Sequence, residues 1–246
     1  MAQNTLPPGI HDLMKRAAAM LPGLETHGPW LNFGAATAAR FRPAMESLCA
    51  AESDFSVARS AKAAAGARAA ASDAGLTEWL GKARLVVMLA LGSQWSPAWI
   101  EAGFAGSGTN VPKRVAARLW LAGALVAFFR RRPELEVAFA GVTAAQGAAL
   151  LAEADSARRA LQEAASDAGE KKVRRDAAEA KLRREMRLVR ACVALPLGES
   201  DPRWEAFGMK PPKPAAPRRI RQGKGPRAEV IELPVVVKVA REAAAA

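Results

Sequence analysis

Alanine occupies 58 of the 246 positions, and this excess narrows the folds open to the chain more than any motif does. Alanine is the best helix former, because it loses no side-chain entropy in a helix. Its single methyl also buries little area, so a core lined by alanine is thin. Half of the residues are hydrophobic, but nearly half of that fraction is alanine, and aromatics amount to 6% with no Tyr. β-branched residues are scarce outside a few short runs, which argues against a β-sandwich or a parallel α/β sheet. The composition predicts an all-α protein, an elongated bundle or set of hairpins made from long alanine-rich helices.

Helix signals divide the chain. A short amphipathic helix is predicted from Ile10 to Leu21, closed by Pro22-Gly23. From Ala35 to Leu91 nearly every residue favours helix; Pro43 suits a first turn, and Gly92 stands at the stop position. After the Gly103–Asn110 loop, a helix is predicted with Asn110 as cap and Pro112 in its first turn, running to Arg131 before Pro133. Thr143-Ala-Ala-Gln146 reads as a capping box. Beyond it, Leu150, Ala154, Ala157, Leu161, Ala164 and Ala168 form a heptad seam. The seam lapses over residues 169–176 and resumes at Ala178, Leu182, Met186, Val189 and Val193. The pentapeptide Ala-Ser-Asp-Ala-Gly ends at both Gly75 and Gly169. From sequence, Ser72–Gly75 and Ser166–Gly169 fit either hairpin turns or the interior of long helices.

The net charge is +12, and its placement matters more than its size. Residues 1–110 hold 9 Lys/Arg against 8 Asp/Glu, residues 111–209 hold 18 against 13, and residues 210–246 hold 9 against 3. A basic tail on a nearly neutral body suits contact with a polyanion or simple solubility. The tail cations Arg218, Arg219, Arg221, Lys224 and Arg227 have no acid before Glu229, in a Pro/Gly-rich setting that predicts disorder. The run from Glu229 to Val239 has the composition of a single strand. Upstream, Arg183, Arg187 and Arg190 line one side of a helix, but interleaved acids make a solvated, ion-paired face the simpler expectation. The longest charge-free apolar run, Leu119 to Phe129, is far short of the roughly 20 residues that span a bilayer. No membrane span and no signal peptide are expected, and a cytoplasmic location is the default. Cys49 and Cys192, each among apolar neighbours, read as small buried hydrophobes.

The strongest motif is a pair of matching helix ends. Leu91-Gly92 leads to Pro97-Ala-Trp99 and Gly103-Phe104; Leu197-Gly198 leads to Pro202-Arg-Trp204 and Gly208-Met209. Upstream, Arg84 matches Arg190 and Leu89 matches Leu195 at an offset of 106 residues. These matches predict an internal duplication: a first helical unit over residues 1–110, a second over 111–209, and a basic Pro-rich tail over 210–246. Within each unit, Ser96 or Asp201 caps a short turn, Pro opens it, and Trp pins it to the long helices. Pro97, Trp99, Gly103, Pro202, Trp204 and Gly208 are therefore read as structural anchors. The same elements, with Val111-Pro112 and Val142-Thr-Ala-Ala145, resemble a group of uncharacterised bacterial α-helical proteins. In that group a helical region closing on Asp-Pro-Arg-Trp…Phe-Gly often precedes a fibronectin type III-like module. The resemblance implies a helical fold over residues 1–209 and no established activity, and the short tail after Pro211 departs from it.

Chemistry finds few footholds. Two His and two Cys exclude a multi-ligand zinc cluster, and no nucleophile elbow surrounds His11, His27 or Cys49. The glycines before Thr109-Asn110 lack the Gly-Lys-Ser/Thr ending of a phosphate loop. The sequence thus points to a cofactor-free, non-catalytic scaffold or interaction module, with a protein partner or self-association. The alternative is a nucleic-acid-associated protein that grips phosphates non-specifically through its tail.

Overall fold

The computed structural model describes residues 5–29, 34–104, 108–198 and 201–211. It is all-helical, with α1 (Ile10–His27), α2 (Gly34–Leu91), α3 (Ala98–Glu101), α4 (Val115–Arg131), α5 (Ala144–Ala194) and α6 (Arg203–Ala206). Two 3₁₀ turns, Pro133–Leu135 and Ala138–Ala140, join α4 to α5. Among the described residues the only β pairing is one bridge between Val137 and Val142. The tail cations and the run from Glu229 to Val239 lie outside the described residues.

Helices α2 and α5 dominate. At 58 and 51 residues they run about 87 and 77 Å, at 1.5 Å per residue. They pair antiparallel: Gly75 faces Leu150, Gly66 faces Leu161, and Asp54 meets Lys171. Both Ala-Ser-Asp-Ala-Gly segments therefore lie inside long helices, and neither is a turn. The seam of α5 does not lapse where the sequence suggested. Lys171 and Arg175 take its positions there, with side chains only 27% and 17% exposed. Their stems pack into the seam while their charges reach Asp54 and Glu52, and the Arg175 guanidinium lies 4.5 Å over the Phe55 ring.

Three helix boundaries differ from expectation. Helix α1 continues through Pro22 to His27, because Leu24 is buried and Gly23 packs against the backbone of Ala206 and Phe207. Pro43 lies well inside α2, where Phe41 and Ala44 are both fully buried and hold the helix in register. Helix α4 starts at Val115, not after Asn110. The Arg118 guanidinium takes the Pro112 and Lys113 carbonyls (3.4 and 2.6 Å), drawing that segment out of the helix. The start of α5 follows its signal, with Thr143 Oγ1 accepting from the Gln146 amide at 3.1 Å.

The apolar residues gather at two poles. At one, Leu13, Met20 and Leu24 of α1 pack with Phe41 and Leu48 of α2, Leu182 to Val193 of α5, and Trp204 and Phe207. At the other, Leu76 to Val87 of α2 pack with Trp99, Phe104, the α4 face from Leu121 to Phe129, and Val142. Each pole takes residues from both predicted units. Between them α2 and α5 form a bare two-helix stalk. Over residues 56–71 of α2 only Ala58 is buried, and over residues 155–177 of α5 only Ala168.

Candidate interaction surfaces

The chain passes twice through one element order: a helix of 18 or 17 residues, a long helix, then a four-residue turn. Burial repeats with it. Leu76 and Leu182, Leu80 and Met186, Ala83 and Val189, and Val87 and Val193 are fully buried pairs at an offset of 106. Ala17 with Ala122 and Met20 with Leu125 repeat at 105. The short turns cross over: the turn ending the first pass packs on α4, and the turn ending the second packs on α1. A Cβ on Gly103 would stand 2.3 Å from Ala124 Cβ, and one on Gly208 would stand 2.8 Å from Ala19 Cβ.

Both turns close in the same way. The Phe104 and Met209 amides donate to the Trp99 and Trp204 carbonyls (3.1 and 3.0 Å), while Gly103 and Gly208 donate to Ile100 and Glu205 (3.0 and 2.8 Å). That pair of bonds is a Schellman closure, which needs a left-handed residue at the first position past the helix. Gly103 (φ 92°) and Gly208 (φ 62°) supply it, which explains the fixed four-residue step after Trp. Pro97 and Pro202 immediately precede the two helical turns. Trp99 is fully buried, edge-on to Phe104 with centroids 5.0 Å apart, and its Nε1 has no partner among the described residues. Trp204 is as deep, but its Nε1 donates to the Gly198 carbonyl at 3.0 Å. All six sequence-predicted anchors thus fall in the two turns, three at each pole, and the indoles are in the interior. Asp201 caps α6 through the Arg203 amide (2.9 Å). The Arg203 guanidinium, hydrogen-bonded to the same carboxylate, holds its pKa at about 2. At α3 Ser96 contributes its backbone carbonyl, not its side chain.

One polar constellation repeats across the poles with different residues. Arg118 of α4 joins Asp73 (2.5 Å) to the Pro112 and Lys113 carbonyls. Arg183 of α5 joins Glu179 (2.7 Å) to the Pro7 and Pro8 carbonyls, both at 2.8 Å. The acids stand 106 residues apart and the carbonyls 105, but the guanidinium comes from a different helix each time. Arg183 is therefore turned inward and does not share an outer face with Arg187.

Among the described residues no group of three or more His, Cys, Asp or Glu could hold a metal, and no helix is long and apolar enough to cross a membrane. Cys49 is exposed and Cys192 half-buried, so neither is the buried hydrophobe expected. What stands out at the surface is apolar. Leu89 and Leu195, at equivalent positions of the two passes, are 85% and 87% exposed. Sequence matching paired them but could not show that both point to solvent. The fold class is thus a helical protein with two similar poles on a paired-helix stalk. Comparison with protein-family models, curated proteins and solved structures gave no match.

Proposed function

We propose that this chain is a non-catalytic helical scaffold, an interaction module that offers two like docking poles on one stalk. The repeated exposure of Leu89 and Leu195 carries the reading. Each leucine gains nothing for the fold where it stands, yet each pole keeps one at the same place, nearly the full length of α2 apart. A single exposed leucine is ordinary on a protein surface; the support lies in the same exposure recurring at equivalent positions of both poles. Duplication of an ancestral helical unit would account for the paired positions.

The test is stoichiometry. Capture of a protein partner from source-cell extract, weighed by native mass spectrometry, should give up to two copies per chain. Leu89→Glu and Leu195→Glu should each remove one copy, and the double variant both, with helicity unchanged. Undiminished capture by the double variant would overturn the scaffold reading. The second reading, a nucleic-acid-associated protein, is favoured by charge: residues 210–246 contribute half of the +12 excess.

A further inference from the structure

We propose that the outer face of α5 near its C-terminal end is a phosphate-binding surface fitted to the backbone of a nucleic acid. It rests on the nucleic-acid reading but places a contact on the helical body, apart from the tail. Lys181, Arg184 and Arg187 are exposed, three residues apart, so they succeed one another at about 4.5 Å along the helix axis. None has a carboxylate within ion-pair distance among the described residues, whereas their neighbours Arg175 and Arg183 are held by Glu52, Asp176 and Glu179. The two acids of α5 beyond residue 176 are withdrawn: Glu179 is bound to Arg183, and Glu185 is buried. The outward side of α5 at Lys181, Arg184 and Arg187 therefore carries three cations with no anion among them in the described residues.

The molecule contains its own control for what the fold requires. At the equivalent positions of the first pass, 106 residues earlier, stand Gly75, Glu78 and Gly81. The flanking buried positions match pair for pair, so the same packing is built there without a cation at any of the three sites. The basic face is thus an addition to the scaffold, and its unpaired charges repel one another unless an anion covers them.

A phosphate backbone suits this face better than a lipid surface. An interfacial helix must sink its apolar side into the headgroup boundary. That side of α5 is committed to the core, with Leu182, Met186, Val189 and Val193 fully buried. Three cations on a rigid helix can neutralise about three phosphates, each releasing condensed counterion.

The experiment titrates the full chain into a fluorescent mixed-sequence DNA duplex over a series of salt concentrations. Three variants are compared with wild type: Lys181→Gln/Arg184→Gln/Arg187→Gln, Arg218→Gln/Arg219→Gln/Arg221→Gln, and the charge-conserving Lys181→Arg/Arg184→Lys/Arg187→Lys. The α5 glutamine variant should bind about tenfold more weakly, with a log–log salt slope shallower by about 3. The charge-conserving variant should match wild type, which separates charge from fold. If only the tail variant loses affinity, the tail reading stands and this one falls. Failure of wild type to bind the duplex overturns both. Loss by the α5 variant on phosphatidylglycerol vesicles, with duplex binding unchanged, also refutes it.

Discussion

Four glycines with positive φ allow the packing of the two turns to be measured apart from their backbone geometry. Gly92 (φ 94°) and Gly141 (φ 69°) have open space where a Cβ would stand, whereas Gly103 and Gly208 have alanines of the opposing helix. Alanine at Gly92 or Gly141 should therefore cost only the left-handed backbone penalty, about 1–2 kcal/mol. At Gly103 the new methyl would lie 2.3 Å from Ala124 Cβ, which is fixed to the α4 backbone and cannot rotate away. Overpacking of that kind adds about 1–3 kcal/mol, for a total of about 2–5. Gly208→Ala should fall between, since Ala19 Cβ is 2.8 Å away. Urea unfolding followed by tryptophan fluorescence gives the order, provided the slopes stay equal. Ala124→Gly in the Gly103→Ala background should return the overpacking part, a coupling of about 1–3 kcal/mol. Equal costs at all four glycines, or zero coupling between positions 103 and 124, would refute the crossed packing of the turns.

Two further outcomes follow from the poles. Trp99→Ala and Trp204→Ala should each cost about 3–5 kcal/mol, but the phenylalanine variants should differ. Trp204→Phe loses the bond to the Gly198 carbonyl, about 1 kcal/mol more than Trp99→Phe, which removes an indole with no partner among the described residues; equal urea midpoints for the two would contradict this. Asp201 has its pKa lowered from 3.8 to about 2 by the Arg203 side chain and amide. Its contribution is present above pH 3.8 and lost as pH falls towards 2. The wild-type melting temperature should thus drop more steeply across that interval than that of Asp201→Asn, and parallel curves would dismiss the cap.

Much of the helical architecture was legible in the sequence, because alanine excess, capping residues and glycine stops act locally. The Trp-to-Gly step was legible for the same reason: a Schellman closure is written within six residues. What escaped was decided by distant partners. Pro22 and Pro43 look like breakers until Leu24, Phe41 and Ala44 are seen locked into a core on both sides of them. The seam seemed to lapse at Lys171 and Arg175, since their acids, Asp54 and Glu52, lie over a hundred residues away. The basic face on α5 was masked by interleaved acids, because periodicity does not reveal that Glu179 and Glu185 turn inward. Comparing the passes position by position, with Lys181, Arg184 and Arg187 against Gly75, Glu78 and Gly81, would have exposed it from sequence alone.

The crossing of the short turns bears on how such a molecule could arise. Because the first turn closes on the helix of the second pass, and the second on that of the first, neither half can finish a pole alone. Two separate copies of one half, lying antiparallel, would meet this need by an isologous contact, the self-complementary geometry of two-fold dimers. Joining the copies end to end removes the dependence on concentration that limits any obligate dimer. It also frees each half to diverge without spoiling the other's surface. A symmetric dimer must carry every substitution twice, whereas the joined chain can place three cations at one end and none at the equivalent positions of its twin.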